Sequence, residues 1–182
     1  MKSPGRWAVL LNFCAVISIC GCAAGRTDAI VDDWTNSSAL AARHLIEEYG
    51  APNEAQSDRL TWIGNGPWKR TVVWDQALPY VPVPSADIVV MEQTVDYPLT
   101  ADQAAALKAF SPALTADVRR GELSSRSDRE EINRLNLNLA DDIVNGRQTV
   151  DEAKASYQRT LELEASGKSS PYLKGLPSKF NR

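Results

Sequence analysis

Leu60-Thr61-Trp62-Ile63-Gly64-Asn65-Gly66-Pro67-Trp68-Lys69-Arg70-Thr71-Val72-Val73-Trp74 reads as two strands and the turn between them. Leu60 and Trp62 alternate with Thr61 and Ile63, the two-residue period of a half-buried strand. Gly64-Asn65-Gly66-Pro67 is a dense turn signal. Beyond it, Trp68, Arg70, Val72 and Trp74 alternate with Lys69, Thr71 and Val73, so the run folds back as a β-hairpin with a four-residue loop.

The neighbours of the hairpin alternate between helix and strand. Upstream, Asn36 and Ser37 offer cap oxygens to a helix running to about Glu48, with an apolar stripe of Ala41, Ala42, Leu45, Ile46 and Tyr49. Gly50 suits its C-terminal end, and Pro52 blocks continuation. Downstream, Pro79, Pro82 and Pro84 surround Tyr80, which predicts an extended loop. Ile88 to Tyr97 is a third strand with Val89, Met91, Val95 and Tyr97 inward and Glu92, Thr94 and Asp96 outward. Thr100 with Gln103 opens a short helix to Phe110, and Leu114 to Leu123 reads as a fourth strand. Ser127 with Glu130 and Thr149 with Glu152 are further capping boxes. They open two helices, the first striped by Ile132, Leu135, Leu139, Ala140, Ile143 and Val144, the second by Val150, Ala153, Tyr157 and Leu161. So short a link makes these two a packed pair. The expected fold is therefore α+β: a small antiparallel sheet of three or four strands, helices on one face, and a C-terminal helical hairpin.

At the front of the chain, Lys2 and Arg6 precede an apolar run from Trp7 to Ile19. Thirteen helical residues reach about 20 Å, short of the roughly 30 Å hydrocarbon core. Length and flanks match a cleaved secretory leader. The run ends Ile19-Cys20-Gly21-Cys22, which resembles the lipobox of bacterial lipoproteins. Gly21 stands directly before Cys22, whereas Ile19 precedes Cys20 and Phe13 precedes Cys14. The resemblance implies a diacylglycerol on the Cys22 sulfur, cleavage before Cys22, and acylation of the new amine. It also implies a bilayer partner, and Ala23 rather than Asp after the cysteine points to the outer membrane, facing the periplasm. The alternative is plain secretion with cleavage near Ala23-Ala24-Gly25; the Gly-Cys pair favours lipidation. On this reading residues 1–21 are leader, 22–31 a flexible tether, 32–166 a single domain and 167–182 a loosely held tail.

Removing residues 1–21 from the 182-residue chain leaves 161, with 18 basic and 23 acidic residues and a net charge of −5. That balance excludes the clustered basic footprint of a nucleic-acid binder. All three cysteines lie at or before position 22, so the domain holds no disulfide and no thiolate metal site.

Three short runs, Gly66-Pro67-Trp68-Lys69-Arg70-Thr71, Gly121-Glu122-Leu123 and Asn136-Leu137-Asn138-Leu139-Ala140, resemble a group of small bacterial exported proteins with no assigned activity. Gly50-Ala51-Pro52 after a helix and before strands is similar to a phrase in small outer-membrane lipoproteins of the assembly-machinery type. Neither resemblance brings a catalytic residue or a cofactor.

The chain offers little chemistry to a catalytic reading. No paired histidines or calcium-loop spacing suggest a metal. No Gly-rich phosphate loop or nucleophile elbow occurs. His44, the sole histidine, falls on the polar side of its helix. Glu92 and Asp96 sit about 13 Å apart along a strand, too far to serve one glycosidic bond. Asp141 and Asp142 point about 100° apart on a helix and read as solvated. The candidate binding residues are instead aromatic and basic: Trp68, Lys69, Arg70 and Tyr80. Trp62 and Trp74 read as core, and Trp68, beside a turn, as a surface contact. The expected function is a membrane-anchored, non-catalytic envelope module that binds a protein partner. A binder of cell-wall glycan or a small ligand is the second reading, and an enzyme the third.

Overall fold

The structure, a computed structural model, describes residues 21–75, 90–177 and 180, with side chains from residue 27 onward. The leader, Cys14, Cys20, and Tyr80 with its proline loop lie outside the described residues. So do Ile88 and Val89 of the expected third strand, and the Cys22 side chain.

Along the chain the elements are α1 (Gly21–Asp32), α2 (Asn36–Tyr49), β1 (Glu54–Gln56), β2 (Arg59–Asn65), β3 (Trp68–Trp74) and β4 (Met91–Asp96). Then follow α3 (Ala101–Phe110), β5 (Leu114–Asp117), β6 (Glu122–Ser127), α4 (Glu130–Val144), α5 (Val150–Ala165) and α6 (Pro171–Lys174). The strands form one antiparallel sheet in the order β1-β2-β3-β4-β6-β5. The hairpin forms, but with a tighter turn than the expected four-residue loop: β2 runs on to Asn65 opposite Trp68, so only Gly66 and Pro67 lie between the strands, and Thr61 stands opposite Val72 and Trp62 opposite Thr71.

The α+β class stands as expected, but the sheet has six strands rather than three or four. One extra strand is β1, only three residues, Glu54, Ala55 and Gln56, too few to carry a period. The other comes from the expected fourth strand, which is really β5, a turn through Gly121 at φ +66°, and β6. The inward positions of β6 are Leu123, Ser125 and Ser127, so two of three are hydroxyls and the apolar alternation vanishes.

Inward residues of the sheet bury two apolar clusters beneath the helices. Leu60, Trp62, Val73 and Met91 meet Val31, Trp34, Ala42 and Leu45 at one end. Val95, Leu123 and Leu114 meet Leu107, Leu135, Leu139, Ala153 and Tyr157 at the other. The capping boxes at Thr100 and Thr149 form as read. The one at Ser127 does not: α4 starts after Arg129, and the Ser127 hydroxyl donates to the Arg129 carbonyl at 2.6 Å.

Three further expectations change. The tether is helical and docked, since Thr27 and Val31 are buried against the domain. The tail is held: Leu173 and Phe180 are buried, and Phe180 stacks on Tyr97 with ring centroids 5.0 Å apart. Finally, α4 and α5 touch but are no isolated hairpin, because α4 also meets α3, α6 and β6. No helix among the described residues is long and apolar enough to cross a membrane.

Candidate functional site

Helix α2 sets one wall of a groove. Its N-terminal end is fixed to the end of β3, where Thr35 N–H donates to Asp75 Oδ1 at 2.7 Å and the Ser38 hydroxyl donates to the Asp75 carbonyl at 2.7 Å. Ser37, Leu40, Ala41 and His44 then fall at i, i+3, i+4 and i+7, one side of a helix. The opposite wall is the β6–α4 junction, Asp128 to Glu131, with Glu164 from α5. Leu45, Val90 and Met91 make an apolar floor, and the groove encloses about 640 Å³. Leu40 stands 72 % exposed at its edge; among the described residues only Ile63 and Val118 are comparable exposed large apolar side chains.

A buried polar seam runs under the groove. Glu130 accepts from the Tyr49 hydroxyl at 2.9 Å and from Gln93 Nε2 at 2.9 Å, and pairs with Arg134. Gln93 Oε1 accepts from Asn133 Nδ2 at 3.0 Å, and the Thr71 hydroxyl accepts from Asn65 Nδ2 at 3.1 Å. Asn136 Nδ2 donates to the Ser125 hydroxyl at 3.1 Å. Burial, and then the Glu130 charge beside it, push the Tyr49 phenol far above its usual range, so it remains a donor. These partners lie up to 81 residues apart in sequence, so no local pattern could reveal them.

The groove brings together His44 and four carboxylates, Asp128, Glu130, Glu131 and Glu164. Most of these carboxylates are already engaged. Glu164 pairs with Arg129 at 3.0 Å, Asp128 lies 3.9 Å from Arg129, and Glu130 is held as described. His44 is mostly exposed and lies 3.7 Å from Glu48 on its own helix. Proton transfer needs an acid or base within hydrogen-bond reach of the reacting group and free to exchange its proton. What this arrangement offers is an apolar floor inside a charged rim, the make-up of a docking groove.

The aromatic and basic residues read from the sequence do not form one surface. Trp68 is 1 % exposed, packed with Val95, Tyr97 and Phe180, which corrects its reading as a surface contact. The reason is local. Trp68 and Thr71 both turn inward while Lys69 and Arg70 between them turn outward, so strict alternation fails at the start of β3. Lys69 spans Asp96 at 2.6 Å and Glu122 at 2.9 Å, and Arg70 reaches Thr94 and Glu92. Hydrogen bonds to Asp96 and then Glu122 raise the Lys69 pKa. Trp68 and Lys69 do line a shallow depression with Ile63, Pro67, Asp96 and Phe180, but the indole shows it almost no surface.

Asp141 and Asp142 are also corrected, because both are buried rather than solvated. The Tyr97 hydroxyl donates to Asp141 at 2.5 Å and the Tyr172 hydroxyl donates to Asp142 at 2.6 Å. Arg147 pairs with both carboxylates. A burst of polar groups at one helix end looks solvated in sequence; here Tyr97 from the end of β4 reaches Asp141 and Tyr172 of the C-terminal segment reaches Asp142. Among the described residues no group of His, Cys, Asp and Glu side chains could hold a metal ion.

Compared with known protein families, curated proteins and solved structures, the chain matches none.

Proposed function

We propose that the chain is a lipid-anchored protein of the bacterial envelope, whose domain is a non-catalytic accessory module binding a partner polypeptide in the groove between α2 and the β6–α4 junction. Gly21-Cys22 at the end of an apolar run is the observation that carries the reading. Each buried methylene contributes about 0.8 kcal/mol, and two or more chains are needed for stable anchoring. The anchor would hold the domain close. Cys22 lies in the first turn of α1, and Thr27 is already buried, a rise of about 8 Å at 1.5 Å per residue. The exposed Leu40 beside an apolar floor favours a polypeptide partner, because buried apolar anchors inside a polar rim dominate such contacts. The glycan reading loses Trp68, its main aromatic contact, to the core.

Three measurements test the proposal in cells with working lipoprotein processing. Intact mass of the mature protein should show an acylated N-terminal Cys22, and Cys22→Ser should move it from the membrane fraction to the soluble one. An unmodified N-terminus at Ala23 or later overturns the anchor. A photo-crosslinker at Ser37 should give a discrete adduct that Leu40→Asp abolishes while the fold persists. No adduct, or one indifferent to Leu40→Asp, overturns the groove.

A further inference from the structure

The sheet ends at β5, whose free edge borders a second groove. Its main-chain phase can be read from the register. Arg126 N–H donates to the Ala113 carbonyl at 3.1 Å, so 113 and 126 are a hydrogen-bonded pair. In an antiparallel ladder such pairs recur every second residue. Thr115 with Ser124 and Asp117 with Glu122 therefore exchange the remaining bonds. The other side of β6 agrees: Tyr97 N–H donates to the Gly121 carbonyl at 2.7 Å, which assigns Leu123 and Ser125 to β4. Hence the main-chain groups of Leu114 and Ala116 point away from the sheet. Leu114 N–H turns back to the Ser111 carbonyl at 3.2 Å. The Leu114 carbonyl and both groups of Ala116 are left facing outward.

Helix α3 lies beside this edge without closing it. Ala104, Ala105, Leu107 and Lys108 face Pro112, Leu114 and Ala116 across a groove of about 460 Å³. The small side chains of Ala104 and Ala105 leave room next to the strand. Val118, exposed beyond the end of β5, extends the apolar border. Lys108 makes no ion pair among the described residues, unlike Lys69 on the sheet face.

We infer that β5 and α3 form a second binding site, which takes an extended acidic-apolar segment of a partner protein by strand addition. The outward donor and acceptors of Leu114 and Ala116 are complemented in kind by another extended backbone, which supplies the affinity of such sites, while pockets for alternate side chains supply specificity. A small apolar side chain fits between Ala104, Ala105 and Ala116, and a neighbouring carboxylate meets Lys108. The site is independent of the α2 groove and of the anchor. The unfilled edge also matters in its own right, since an open strand is a template for pairing.

The test uses the full-length protein in detergent, immobilised against a phage library of random peptides. The result expected is enrichment of alternating apolar sequences carrying Asp or Glu. Ala116→Pro removes the outward N–H, a change edge strands tolerate, and should weaken the enriched clones about tenfold. Lys108→Glu, on the exposed side of α3, should weaken them similarly and serves if Ala116→Pro unfolds. No enrichment, or clones indifferent to Lys108→Glu and to a folded Ala116→Pro, overturns the site. A concentration-dependent dimer abolished by either change overturns it too, because the occupant is then a second copy of this chain.

Discussion

Gly66 is a position where one hydrogen atom decides the local structure. It sits at φ +58°, and a Cβ added there would come within 2.9 Å of the Tyr49 ring. Tyr49 in turn donates to Glu130, so the turn of the hairpin lies against the phenol that joins α2 to α4. Gly64, two residues earlier, has a similar φ of +64° but open space around it. Alanine at either site carries backbone strain of about 1–2 kcal/mol. Gly66→Ala adds a contact that Tyr49 must relieve by moving, and we expect it to cost more than Gly64→Ala. Urea unfolding of the two variants checks this, with equal midpoints as the outcome that removes the Tyr49 contact from the account. The turn itself was legible because Gly and Pro announce it. Its closeness to a helix residue 17 positions upstream was not.

Helix α4 shows where reading by periodicity stops. Ile132, Leu135, Leu139 and Ala140 form a clear stripe and all four are buried as read, the last three within the larger apolar cluster. Leu137 did not fit, since it points about 200° from Leu135. It is buried all the same, one turn beyond Asn133, whose amide reaches Gln93 of β4, and α4 is covered on another side too, where Asn138 donates to the carbonyls of Tyr172 and Gly175 at 2.9 and 2.8 Å. A helix buried all round reads as an amphipathic one whenever its second covering comes from a short, irregular segment. The same burial traps polar groups in the inward seam. Asn136 donates to Ser125, yet its Oδ1 is buried without a partner. Removing one partner of a buried pair strands the other, while replacing both by apolar groups can be neutral or stabilising. Asn136→Leu with Ser125→Ala should therefore unfold no earlier than the parent in a thermal melt. Asn136→Leu alone should lose about 1–2 kcal/mol, because the Ser125 hydroxyl is left without its partner. If the double change proves as costly as the single one, the seam holds the fold in a way its hydrogen bonds do not explain.

Taken whole, the molecule is tied together through α4. Glu130 near its start receives the hydroxyl of Tyr49 from α2, and Asp141 and Asp142 near its end receive Tyr97 from the end of β4 and Tyr172 from α6. Three elements distant in sequence thus reach one helix by phenol–carboxylate bonds. Each phenol is held above its usual pKa of 10: Tyr49 and Tyr97 first by burial, Tyr172 first by its bond to Asp142. In the unfolded chain these phenols ionise near pH 10, while in the folded one they stay protonated. A raised folded pKa contributes stability that is complete below the unfolded value and is lost as pH climbs past it. The fold should therefore weaken progressively above pH 10, by up to about 1.4 kcal/mol per pH unit for the buried Tyr97. Lys69, also raised, acts with the same sign, so the phenols' share must be isolated by substitution. Tyr97→Phe removes one phenol and leaves Asp141 paired with Arg147 and Asn145. Urea midpoints measured from pH 9 to 11.5 should fall for the parent and fall less steeply for Tyr97→Phe, despite its lower starting stability. Parallel slopes would mean that the phenol ionises as readily in the fold as outside it, and that the tie between β4 and α4 is packing rather than hydrogen bonding.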